Sequence, residues 1–99
     1  PELKHPTHFA SLGLAMEGRL LDALNAHPHT RTAPVIIQSF ETANLRALRE
    51  RIPRGSNLTL LQLYGDPNET PYDTVADGKP RTYASLATPE ALREVATYA

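Results

Sequence analysis

The sequence predicts an α/β fold with parallel strands, and three observations carry that prediction. Short apolar runs alternate with longer segments whose apolar residues recur at helical spacing, the βαβ order that builds a parallel sheet through right-handed crossovers. The two apolar runs, residues 34–40 (PVIIQSF) and 58–64 (LTLLQLY), are nearly continuous rather than alternating, as strands buried on both faces are. Punctuation falls between the segments: nine prolines, many for 99 residues, cluster in the connections.

The chain opens on PELKHP. Glu2 and Lys4 flank Leu3 and read as the end of a strand, whose period of two places both charges on one face. In residues 13–27, Leu14, Met16, Leu20, Leu21 and Leu24 form a helical stripe. HPHTRTAP (27–34) stops that helix, and the first buried strand follows. Residues 41–52 make an amphipathic helix with Leu45, Leu48 and Ile52 on one side and Arg46, Arg49 and Glu50 on the other; PRGSN breaks it. The second strand leads into a long polar loop over 65–87. The last helix, within 88–99, has Thr88 as N-cap, Pro89 at its first position and Glu90 in its first turn. Two and a half such units close no barrel, and a parallel sheet needs cover on both faces. The expectation is therefore one domain segment over residues 1–99, the middle of a larger α/β fold and incomplete at both ends.

Composition narrows the function. With 10 Lys and Arg against 11 Asp and Glu, the net charge of -1 gives no electrostatic reason to expect nucleic acid or an anionic membrane. No stretch approaches the roughly 18 apolar residues of a membrane span. Without cysteine there are no disulfides and no thiolate metal sites.

Working groups in parallel α/β folds gather at the C-terminal ends of the strands. Gln38 interrupts one buried run near that end, Gln62 holds the equivalent place in the other, and Glu2 and Lys4 end the first fragment. Such a set suggests a polar pocket, since a buried Gln without partners costs about 1–3 kcal/mol. The alternative is that the glutamines satisfy loop backbone groups. For Glu2 and Lys4 the alternative is an exposed ion pair. Asp66, Asp73 and Asp77 match no calcium loop and read as solvated. Tyr64, Tyr72 and Tyr83 could cover a substrate. His27 and His29 supply two ligands, too few for a metal site.

PELKHPTHF, VIIQSFETANLRAL and LTLLQLY, in this order and spacing, resemble the glycerophosphodiester phosphodiesterase family across nearly all of the chain, least in 65–87. The resemblance implies a TIM (β/α)8 barrel that hydrolyses glycerophosphodiesters to an alcohol and glycerol 3-phosphate with a divalent cation, Ca²⁺ or Mg²⁺. It implies that Glu2 ligates the metal through hard carboxylate oxygens, and that Lys4 lies near the phosphate. Gln38 and Phe40 then border the substrate pocket, with Gln62 also lining it. Ser39, by alternation, faces the helices. The family's acid/base histidines, in a His-Arg pair and a later His before an Asp, and its Glu-x-Asp ligands are absent from this sequence. No catalytic residue is therefore expected in these 99 residues, with His5 and His8 in a loop and His27 and His29 at the N-terminal face. The isolated chain should be inactive. The long segment after Tyr64 resembles that of exported members, which points to a periplasmic or secreted location. The rival expectation is a non-catalytic α/β module that self-associates through exposed sheet edges.

Overall fold

The computed structural model describes all residues, 1–99. Seven helices and two strands follow in the order α1 Pro6–Ser11, α2 Glu17–Ala26, α3 Pro28–Thr32, β1 Val35–Ser39, α4 Ala43–Arg51, β2 Leu58–Gln62, α5 Tyr72–Ala76, α6 Tyr83–Leu86 and α7 Pro89–Val95. β1 and β2 are parallel and in the register Val35↔Leu58 through Ser39↔Gln62, with α4 as the crossover between them. On the other side of β1, Glu2 forms a parallel bridge with Gln38, closed by Leu3 N–H to the Gln38 carbonyl and Gln38 N–H to the Pro1 carbonyl, both 2.9 Å. The three extended segments therefore lie side by side in chain order.

Alternation divides the sheet into two unlike faces. Leu3, Ile37 and Leu60 point to one side and join Leu45, Leu48, Ile52 and Tyr98 in the buried core. The leucine stripe of α2 and Val95 of α7 pack around that cluster. The opposite face carries Ile36, 55% exposed, and Leu61, 44% exposed. The expectation of strands buried on both faces is thus corrected. Helices cover one face only, and the second stays open because no element of the chain crosses it.

The segment 65–87 also departs from expectation. Two short helices, α5 and α6, interrupt it. Local rules explain α6, whose Thr82 hydroxyl accepts Ser85 N–H at 3.2 Å. The same device starts α7, where the Thr88 hydroxyl accepts Ala91 N–H at 3.2 Å behind Pro89, as the sequence predicts. HPHTRTAP is not a plain break either. Pro28 opens the single helical turn of α3, and Asn57 ties it to the sheet by donating to the Thr30 and Ala33 carbonyls at 2.9 and 2.8 Å.

Candidate functional site

The C-terminal ends of the three extended segments hold most of the predicted residues. Bridge partners lie on the same face of a sheet, so Glu2 and Gln38 are neighbours on the open face, beside Leu61. Phe40 follows two residues after Gln38, just past the end of β1, and is 39% exposed. Lys4 follows two residues after Glu2 and is exposed. Both ion pairs of the chain belong to Glu94, with Arg46 and with Arg81. The Glu2–Lys4 ion pair is therefore not formed, and both charged groups are free for other partners. No cluster of three or more His, Cys, Asp or Glu side chains is placed to hold a metal ion. A calcium shell needs six to eight oxygens, and Glu2 offers one carboxylate that belongs to no such cluster.

Gln62 does not join them. The register pairs Gln62 with Ser39, and Gln38 with Leu61, so the two glutamines face opposite sides of the sheet. Gln62 is 8% exposed. Its amide donates to the carbonyls of Ser39, Phe40 and Leu63 at 3.3, 3.1 and 3.0 Å, and its oxygen accepts the Tyr98 hydroxyl at 3.1 Å. The expectation that Gln62 lines the pocket is corrected: it is a buried bracket for the backbone at the strand ends. The error lay in the register, because a slip of one residue exchanges faces. Ser39 faces the helices as expected and is fully buried, its hydroxyl accepting Glu41 N–H at 3.1 Å.

Residues from 65–87 wall one side of this end. Tyr83 packs edge-on against Phe40 and Tyr64, at 6.3 and 6.2 Å between ring centroids, and its hydroxyl donates to the Phe40 carbonyl at 3.3 Å. Burial, then the charges of Asp73, Glu69 and Glu41, push the Tyr83 hydroxyl above the usual tyrosine range. Of the three tyrosines considered as a cover, Tyr83 packs on Phe40 and Tyr64 on Tyr83, whereas Tyr72 is 51% exposed. A β-carbon on Gly65 would come within 2.9 Å of the Tyr83 ring, so glycine permits this approach.

The reading of Asp73 as a solvated loop carboxylate is corrected. Asp73 is 6% exposed and accepts three hydrogen bonds on Oδ2: from Thr42 N–H and hydroxyl, both 2.8 Å, and from Ala43 N–H, 2.7 Å. A carboxylate from a distant segment thus caps α4, whose own Thr42 makes no side-chain cap. Glu41, 4% exposed, does the same for α1 by accepting Thr7 N–H at 3.1 Å. Neither contact has a local sequence signature, because each joins residues more than thirty positions apart.

The histidines depart from a simple loop placement. His8 lies within α1 and stacks edge-on to Phe9 at 5.3 Å, while His5 occupies the N-cap position of α1 without a side-chain cap. His27 and His29 flank the start of α3, before β1 and thus at the opposite end of the sheet from Glu2 and Phe40.

A cleft of about 600 Å³ opens between α1, the start of α4 and α5. It contains neither Glu2, Lys4, Gln38 nor Phe40. Its basic Arg46, Lys79 and Arg81 are matched by Asp73, Asp77 and Glu94, leaving no net field for an anion. The predicted residues instead share an open surface. No helix is long and apolar enough to cross a membrane. No family model matches the chain, and neither a curated protein nor a solved structure matches it.

Proposed function

We propose that the chain is a βα segment of a TIM (β/α)8 barrel and that the parent protein is a metal-dependent glycerophosphodiester phosphodiesterase. The observation that supports this reading best is the Glu2–Gln38 bridge. It sets the Glu-x-Lys and Gln-Ser-Phe motifs side by side on one sheet face, at the strand ends where α/β barrels work. The open face, with Ile36 and Leu61 exposed, corresponds to a barrel interior. In this reading Glu2 supplies one carboxylate to a divalent cation, Ca²⁺ or Mg²⁺, which would neutralise phosphate charge. Lys4 meets the phosphate as a point charge. Gln38 and Phe40 border the glycerol ester, and Gln62 holds the Phe40 carbonyl from beneath. The acid and base belong to residues outside these 99.

The test is binding of glycerol 3-phosphate to the chain in the presence of Ca²⁺ or Mg²⁺, with turnover of glycerophosphocholine measured beside it. The expected result is metal-dependent binding, lost in Glu2→Gln and weakened in Lys4→Met, with no turnover. Binding indifferent to both substitutions would refute the placement. Sustained turnover would refute the external acid and base, and His5 and His8 would become the suspects.

A second reading, a self-associating α/β module, rests on the same exposed Ile36, Phe40 and Leu61 and on the unpaired outer edge of β2. Light scattering separates it: a monomer at working concentration removes this reading.

A further inference from the structure

We propose that Glu41 is a positioning residue for Lys4, an inference that rests on the phosphodiesterase reading and adds to it a residue to which the resemblance assigns no role. The argument starts from backbone geometry. His5, between Lys4 and Pro6, has φ 52° and ψ 47°, and it is the only residue other than glycine with positive φ. That conformation is disfavoured twice: its β-carbon crowds the following carbonyl, and a residue before proline is pushed toward extended backbone. Such strain persists only where the surroundings over-determine it.

The surroundings here are specific. Upstream, Leu3 is buried and its N–H is held by the Gln38 carbonyl at 2.9 Å. Downstream, Pro6 is buried. The Phe9 N–H reaches back to the His5 carbonyl at 3.1 Å, and the Thr7 N–H is taken by Glu41 Oε2 at 3.1 Å. Lys4 and His5 are thus pinned on both sides, and two side chains take part: Glu41 downstream at 3.1 Å and, more weakly, the Ser39 hydroxyl donating to the Leu3 carbonyl upstream at 3.5 Å.

A glutamate is a costly choice for this job. Burying a carboxylate is unfavourable unless hydrogen bonds compensate it, and Glu41 has no cationic partner, since both ion pairs of the chain involve Glu94. What the carboxylate gains is an orphan donor at the N-terminus of α1, just after proline, where an anion is favoured. It thereby ties the end of β1, which carries Gln38 and Phe40, to the turn that carries Lys4. The backbone that carries the Lys4 side chain is held in this way next to the end of β1.

The experiment is a double-substitution cycle on the full chain, read by NMR titration with glycerol 3-phosphate and Ca²⁺. Lys4→Met is expected to weaken binding about tenfold, the loss of one charge-assisted contact. Glu41→Met should weaken it by a similar factor, and the double variant should bind no more weakly than either single one. Glu41→Gln, which keeps an acceptor oxygen, should recover most of the affinity. Should Glu41→Met not fold, replacing the Pro6–Thr7 amide by an ester deletes only the Thr7 N–H donor to Glu41 and gives the same reading. Effects of Glu41 and Lys4 that multiply, or a Lys4-dependent affinity unmoved by either clamp variant, would overturn the proposal. If the native chain binds no glycerol 3-phosphate, the phosphodiesterase reading fails by itself. Positioning is then read from the Lys4 and His5 amide resonances in the chain with the Pro6–Thr7 ester: displaced resonances uphold it, and unmoved ones overturn it.

Discussion

Replacing Asp73 by alanine tests how the segment 65–87 is held. The carboxylate takes three hydrogen bonds from Thr42 and Ala43 on a single oxygen. Bonds to a charged acceptor contribute about 1.5–3 kcal/mol each, but three donors on one oxygen do not add fully. The freed donors also line the open cleft beside α4, so water partly replaces the lost acceptor. Loss of an N-cap alone costs about 0.5–2 kcal/mol. Together these give a loss of about 3 kcal/mol for Asp73→Ala. Asp73→Asn, which keeps a neutral acceptor of the same shape, should lose about half that. In a domain of this size each kcal/mol lowers Tm by about 4–8 °C, so the alanine variant should melt roughly 12–24 °C lower. Urea unfolding followed by circular dichroism measures the free energy, and amide exchange at Thr42 and Ala43 localises it. A loss below about 1 kcal/mol for alanine, or equal losses for alanine and asparagine, would refute the reasoning.

Two further outcomes follow from the faces of the sheet. Ile36→Lys and Leu61→Lys, on the open face, should each change stability by less than about 0.5 kcal/mol, whereas Ile37→Ala on the core face should cost about 2–5 kcal/mol; equal costs on the two faces, measured by urea unfolding, would mean that the open face is covered in solution. Burial holds the Tyr98 hydroxyl, bonded to Gln62, up to about 12. Because the folded value is raised above the unfolded one near 10, the neutral hydroxyl's contribution is fully present below pH 10 and is lost between pH 10 and about 12. Tyr98→Phe should flatten, without abolishing, the fall of the urea midpoint over that range, since Tyr64 and Tyr83 are raised as well; an unchanged profile would contradict it.

The candidate site was legible where local rules suffice. Two-residue alternation places Glu2 and Gln38 on their face and turns Ser39 away from it, and the alternating order of apolar runs yields the parallel pairing that brings the first two together. Gln62 escaped that logic. Its position in LTLLQLY mimics that of Gln38 in PVIIQSF, but pairing starts from Val35 and Leu58, which puts the two glutamines one register step apart. Only the ladder fixes that step.

What the sequence by itself determined are the features that a residue and its near neighbours decide. These are the helical stripe of α2, the Thr88–Pro89 start of α7, the β-branched run of β1 and the polar strand ends. The tertiary structure decided everything that joins distant segments. Asp73 caps a helix that begins thirty residues earlier, Glu41 anchors α1, and His5 is bent into a conformation that its own type and the following proline both resist. A carboxylate's value as a cap depends on which backbone donors are brought to it. That is a property of packing, not of the carboxylate's place in the chain.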